Sequence, residues 1–98
     1  QKVLFARAFV ERPRVLIADE PTRGVDVAAK RAIYDLIAGA AAEGMGVLLI
    51  SSELEEVLGL GHRVLVMREG RIVEELDAAE ATEQRVMTAA FGAEEVPA

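Results

Sequence analysis

Apolar and polar positions fall along the chain in blocks whose period changes. Residues 2–11 are apolar almost all round, with Val3, Leu4, Phe5, Ala6, Ala8, Phe9 and Val10, the pattern of a helix buried on most sides. Pro13 ends it, because the residue before a proline is driven out of the helical region. Residues 15–18, Val-Leu-Ile-Ala, form the short continuous apolar run of a parallel strand covered on both faces. Asp26 then stands as the N-cap of a long helix reaching Glu43. Ala29, Ile33, Leu36, Ile37, Ala40 and Ala41 share one stripe of that helix, and Lys30, Arg31 and Asp35 fall largely off it. Gly44 and Gly46 supply the stop, and residues 47–50 predict a second buried strand.

Downstream, Ser52 and Glu55 have the spacing of a capping box, with Leu54, Val57 and Leu58 as the apolar face of the helix it would open. Gly59 and Gly61 end that helix. Residues 63–68 and 71–76 predict two strands joined at Glu69-Gly70 as a hairpin. Thr82 predicts the cap of a last helix running to Phe91, and residues 93–98 are expected to be a disordered tail. The alternation of helix and strand points to an α/β layer fold with a parallel sheet. Two central strands are too few for such a sheet, and the chain opens inside a predicted helix, so it reads as a fragment of a longer protein.

Composition narrows the picture. At 98 residues with 52% hydrophobic content, the chain can build one small domain at most. Its net charge of -6 and lack of any Lys/Arg run argue against a nucleic-acid surface. It has no cysteine, which excludes disulfides, thiolate metal sites and cysteine nucleophiles. No apolar stretch is long enough to span a bilayer, and no signal-peptide pattern opens the chain.

The chemistry concentrates at Asp19 and Glu20, which follow the first apolar run. Burying an ionised carboxylate is costly without a partner, and in open α/β sheets ligands bind beyond the carboxyl ends of the strands. An Asp at such a strand end can hold the Mg²⁺ that bridges two phosphates. That ion keeps several waters and needs only one or two protein carboxylates. A second carboxylate beside it can polarise an attacking water. A strand end that simply meets solvent fits the same two residues.

The run "VLIADEPTRGVD" resembles the Walker B strand and D-loop of the ATP-binding-cassette (ABC) ATPases. "QKVLFARAFVERP" is similar to the helix after the family's signature loop. "ISSELEEVLGLGHRVLVMREGRIV" is similar to its switch-loop strand, the following helix and the closing hairpin. Within the family, "DEPTRGVDVAAKRAIYDLI" and "ISSELEEV" most resemble the second cassette of ATPases that energise bacterial monosaccharide importers of the ribose, xylose and galactose type. The resemblance implies Asp19 as the Mg²⁺ ligand, Glu20 as the catalytic carboxylate, and Asp26 as a D-loop residue at the interface with an opposing nucleotide-binding domain. Asp26 can do this and still cap its helix.

The sequence departs from the family at the switch position, where most members carry His and this chain has Ser52. A His can bond a γ-phosphate and change charge near neutral pH. Ser is shorter and carries no charge, so Ser52 reads first as the capping residue and second as a phosphate contact. His62, the single histidine, reads as a surface residue. Arg23 reads as solvated or locally paired, with a partner domain as the other option. Arg7, alone among apolar residues, is expected to pair with a carboxylate or reach the helix edge. Met45, Met67 and Met87 read as packing residues.

The resemblance implies a partial P-loop NTPase fold, with residues 1–92 forming the C-terminal part of an ABC nucleotide-binding domain. It implies ATP and Mg²⁺ as cofactors in the full-length protein. The implied partners are a first nucleotide-binding domain or second ATPase copy, transmembrane permease subunits and, indirectly, a periplasmic sugar-binding protein. The implied location is peripheral, on the cytoplasmic face of the bacterial inner membrane, with no nucleic acid involved. No G-x-x-x-x-G-K-[ST] loop occurs in the chain, so the chain alone is expected to bind ATP poorly and not to hydrolyse it usefully. The alternatives are a non-transport cassette acting in translation or DNA repair, and a degenerate cassette serving as a dimerisation scaffold.

Overall fold

The computed structural model describes residues 14–92. Those residues run in the order β1 (Val15–Asp19), α1 (Val27–Ala42), β2 (Gly46–Ile50), α2 (Leu54–Leu60), β3 (Arg63–Arg68), β4 (Arg71–Asp77) and α3 (Glu83–Phe91). The helix predicted over residues 2–11, the reading of Arg7 and the tail after residue 92 lie outside the described residues. The chain divides between Ser52 and Glu53 into two compact units.

In the first unit β1 and β2 pair in parallel, with Val15 opposite Gly46 and Asp19 opposite Ile50. The connection is α1, which lies against β2. Its first turn is held by Asp26, whose Oδ1 accepts the N–H of Ala29 at 2.8 Å, the contact that makes Asp a good N-cap. The predicted stripe holds at its centre, since Ile33, Ile37 and Ala40 are buried, whereas Leu36 lies at its exposed edge.

The strands differ from the expectation of cover on both faces. Leu16 and Ala18 are buried, but Val15, Ile17, Leu48 and Ile50 are exposed, Ile17 by 64%. Within this unit α1 is the one helix among the described residues, and one helix covers one face. Side chains alternate along a strand, so the opposite face of β1 presents Val15, Ile17 and Asp19.

The second unit is a hairpin packed with two helices. β3 and β4 pair antiparallel, turning through Glu69 and Gly70, both at positive φ (53° and 78°). Two consecutive left-handed residues match the twist of the flanking strands, and glycine takes that conformation without steric cost. A register shift falls between Val66 and Met67. Val64, Val66, Leu76 and Val86 form the core, with Leu54, Val57 and Leu58 of α2 packed against it, as the apolar face predicts. Thr82 caps α3 by accepting the Arg85 N–H at 3.2 Å.

Three local expectations are corrected. The capping box at Ser52 does not form: α2 begins at Leu54, and its N-cap is Glu53, with no side-chain cap bond. Gly59 lies inside α2, which ends only at Gly61. Met67 is 61% exposed because strand alternation sends it outward with Leu65, while Met45 and Met87 are partly buried.

Candidate functional site

The acidic pair closes the first strand by two different backbone routes. Asp19 is the last residue of β1 and is exposed. Glu20 is out of the strand conformation, with φ of 49°, a left-handed value uncommon for a residue bearing a Cβ. Its N–H still donates to the Ile50 carbonyl at 2.7 Å, so the sheet ladder continues one residue past the strand. Held backbone strain of this kind recurs at active sites.

After Glu20 the chain reverses. The Arg23 N–H donates to the Glu20 carbonyl at 3.2 Å, and the Val25 N–H to the Thr22 carbonyl at 3.3 Å. Pro21 and Thr22 are buried within this reversal, where proline's fixed φ suits the second position of a turn. Gly24, at φ 76°, lets the chain leave toward Asp26.

Two side chains meet the Glu20 carboxylate. The Ser52 hydroxyl donates to Oε2 at 3.2 Å, and Arg23 Nη2 lies 3.6 Å from the same oxygen. Glu20 is 20% exposed at its side chain and Arg23 70%. Ser52 therefore serves neither as the predicted cap nor only as a solvent-facing residue: it joins the acidic strand end. Its place follows from the parallel register, which sets Ile50 opposite Asp19 and carries the chain to Ser52 beside Glu20. Arg23 pairs locally, as one reading of the sequence had it.

Asp26 contacts Ala29 as a cap. His62 is exposed at the entry to β3, as predicted. The sequence reading missed one acidic residue: Glu56 of α2 is only 4% exposed.

No group of three or more His, Cys, Asp or Glu that could cage an ion occurs among the described residues. A single exposed Asp at a strand end suits Mg²⁺, which takes most of its ligands from water and substrate phosphates. No helix among the described residues is long and apolar enough to cross a membrane.

The chain is similar in sequence to curated proteins over nearly all of its length. The chain is 59% identical over 92 residues to a putative ribose/galactose/methyl galactoside import ATP-binding protein of Pseudomonas fluorescens, covering 94% of this chain and 18% of that protein. It is 55% identical over 94 residues to the ribose import ATP-binding protein RbsA of Rhodococcus jostii, covering 96% and 19%. It is 58% identical over 92 residues to RbsA 2 of Rubrobacter xylanophilus, covering 94% and 18%. No protein-family model matches.

The resemblance to sugar-importer ABC ATPases, read from the motifs, is thus shown by relatives that align with nearly the whole chain. The chain spans under a fifth of the length of these curated relatives.

Proposed function

We propose that residues 1–92 are the C-terminal part of an ABC nucleotide-binding domain with a P-loop NTPase fold. In the full-length protein this domain binds and hydrolyses Mg-ATP to energise import of a monosaccharide. The observation that supports this most is the strand end itself. Asp19 emerges from a parallel strand and is followed at once by a Glu20 held in a left-handed conformation beside Ser52. The names of the relatives speak for transport over translation or DNA repair.

In this reading Asp19 holds Mg²⁺ and Glu20 serves the attacking water. As the water oxygen bonds to the γ-phosphorus and the bond to the β–γ bridging oxygen breaks, Glu20 takes the water's proton and ADP leaves. Mg²⁺, when bound, neutralises phosphate charge. Asp26 reaches the opposing cassette from the start of α1 while capping it. Ser52 orients Glu20, and contact with a phosphate is not needed for that role.

The partners are a second cassette and membrane permease subunits, with a periplasmic sugar-binding protein acting through them. The protein is peripheral on the cytoplasmic face of the membrane. The phosphate-cradling loop comes from outside this sequence.

The test is reconstitution of the full-length protein with its permease in vesicles, measuring ATP-dependent uptake of labelled ribose and galactose. Uptake abolished by Glu20→Gln is the expected result. Hydrolysis with no sugar dependence would overturn the transport reading. Nucleotide binding without hydrolysis would favour the scaffold.

A further inference from the structure

Arg23 lies three residues after Glu20, and the backbone turn makes that spacing a contact. The Arg23 N–H closes onto the Glu20 carbonyl, which brings the fourth residue of the turn over the first. The turn is seated by buried Pro21 and Thr22, so the base of the Arg23 side chain is fixed even though its end is exposed. From there Nη2 reaches Oε2 of Glu20 at 3.6 Å, the same oxygen that accepts from Ser52 at 3.2 Å. Oε2 of Glu20 is thus approached from two sides.

We propose that Arg23 is a positioning residue for the hydrolytic step: it holds Oε2 of Glu20 so that Oε1 is presented to the attacking water. The assignment rests on the reading of Glu20 as proton acceptor and adds a residue that the strand-end motif does not require. Arg23 acts through Glu20 and does not itself touch nucleotide. A guanidinium suits this task because its planar fork is pre-organised and loses little freedom per contact made. The guanidinium end of the pair is largely solvent-exposed, so its effect is modest.

The test is a double-mutant cycle in the full-length protein, read by single-turnover hydrolysis and by equilibrium Mg-ATP binding. Arg23→Gln is expected to slow single turnover by about two- to fivefold, the scale of an exposed ion pair, with Mg-ATP affinity unchanged. Arg23→Lys is expected to recover part of the rate. In a Glu20→Gln background, Arg23→Gln is expected to have no further effect, because the group it positions is gone.

An equal fall in both backgrounds would overturn the proposal, because Arg23 would then act through the fold or a partner domain. A loss of affinity in place of rate would overturn it as well. Parental rates for Arg23→Gln beside a slow Glu20→Gln would sink the positioning role alone. Parental rates for Glu20→Gln would sink the reading of Glu20 on which it rests.

Discussion

The hydroxyl of Ser52 and the carboxylate of Glu20 meet at 3.2 Å across 32 positions of sequence. The contact joins the ends of two parallel strands, so it exists only when β1 and β2 are in register. Ser52→Ala in the full-length protein is expected to slow single turnover by roughly two- to tenfold, in keeping with loss of one ordinary hydrogen bond of about 0.5–1.5 kcal/mol. It should leave helix stability unchanged, because Ser52 does not cap α2. A lowered melting temperature with an unchanged rate would return Ser52 to a capping role.

Glu20→Gln is expected to leave Mg-ATP binding nearly intact and to slow hydrolysis by about 10²–10⁴-fold, the usual contribution of a general base. The assay should be single turnover in a full-length protein whose other cassette has been disabled. Unchanged hydrolysis would show that Glu20 is not the proton acceptor.

Asp19→Asn is expected to weaken nucleotide binding when Mg²⁺ is present and to leave metal-free ATP binding largely as it was, since an amide is a poorer Mg²⁺ ligand than a carboxylate. Titrations with and without Mg²⁺ separate the two. Equal affinity of variant and parent for Mg-ATP would remove Asp19 as the metal ligand.

Two substitutions, one on α1 and one at its N-cap, should rank by burial. Ile33 is fully buried, at 0% exposure, and Ile33→Ala is expected to cost about 2–5 kcal/mol. Asp26→Ala removes the 2.8 Å cap contact to Ala29 and is expected to cost about 0.5–2 kcal/mol. Chemical denaturation of the full-length protein measures both. The reverse order would mean that α1 depends on its cap more than on its packing.

The 98-residue chain purified alone is expected to self-associate or to melt without sharp cooperativity. Val15, Ile17, Leu48 and Ile50 form an exposed apolar sheet face, and contiguous patches of that kind drive association. Sharp monomeric elution together with a single cooperative melt would count against this.

The elements were legible in the sequence because each carries a local signal. Asp26 and Thr82 cap the helices predicted for them, and Glu69-Gly70 turns the hairpin as expected. Asp19 and Glu20 stood out because carboxylates at the end of an apolar run are chemically conspicuous. What escaped depends on distant parts of the chain. The Ser52–Glu55 spacing satisfied a local pattern, yet the parallel register gave the hydroxyl a partner elsewhere. The left-handed turn of Glu20 left no trace, since no glycine marks it. The open sheet face was hidden because an apolar run does not state how many helices will cover it.

The two kinds of strand pairing differ in how fast they can assemble. The β3–β4 hairpin closes through the two residues Glu69 and Gly70, a contact between near neighbours that forms in about 1–10 μs. Pairing β1 with β2 must bring Val15 to Gly46 past the whole of α1. Contacts between residues far apart in sequence slow folding, because the loop must close before any pairing rewards it. Sequence separation alone therefore favours closure of the hairpin before closure of the acidic strand end. Because Glu20 and Ser52 lie at the end of that pairing, a substitution that slows β1–β2 pairing is expected to delay assembly of the site.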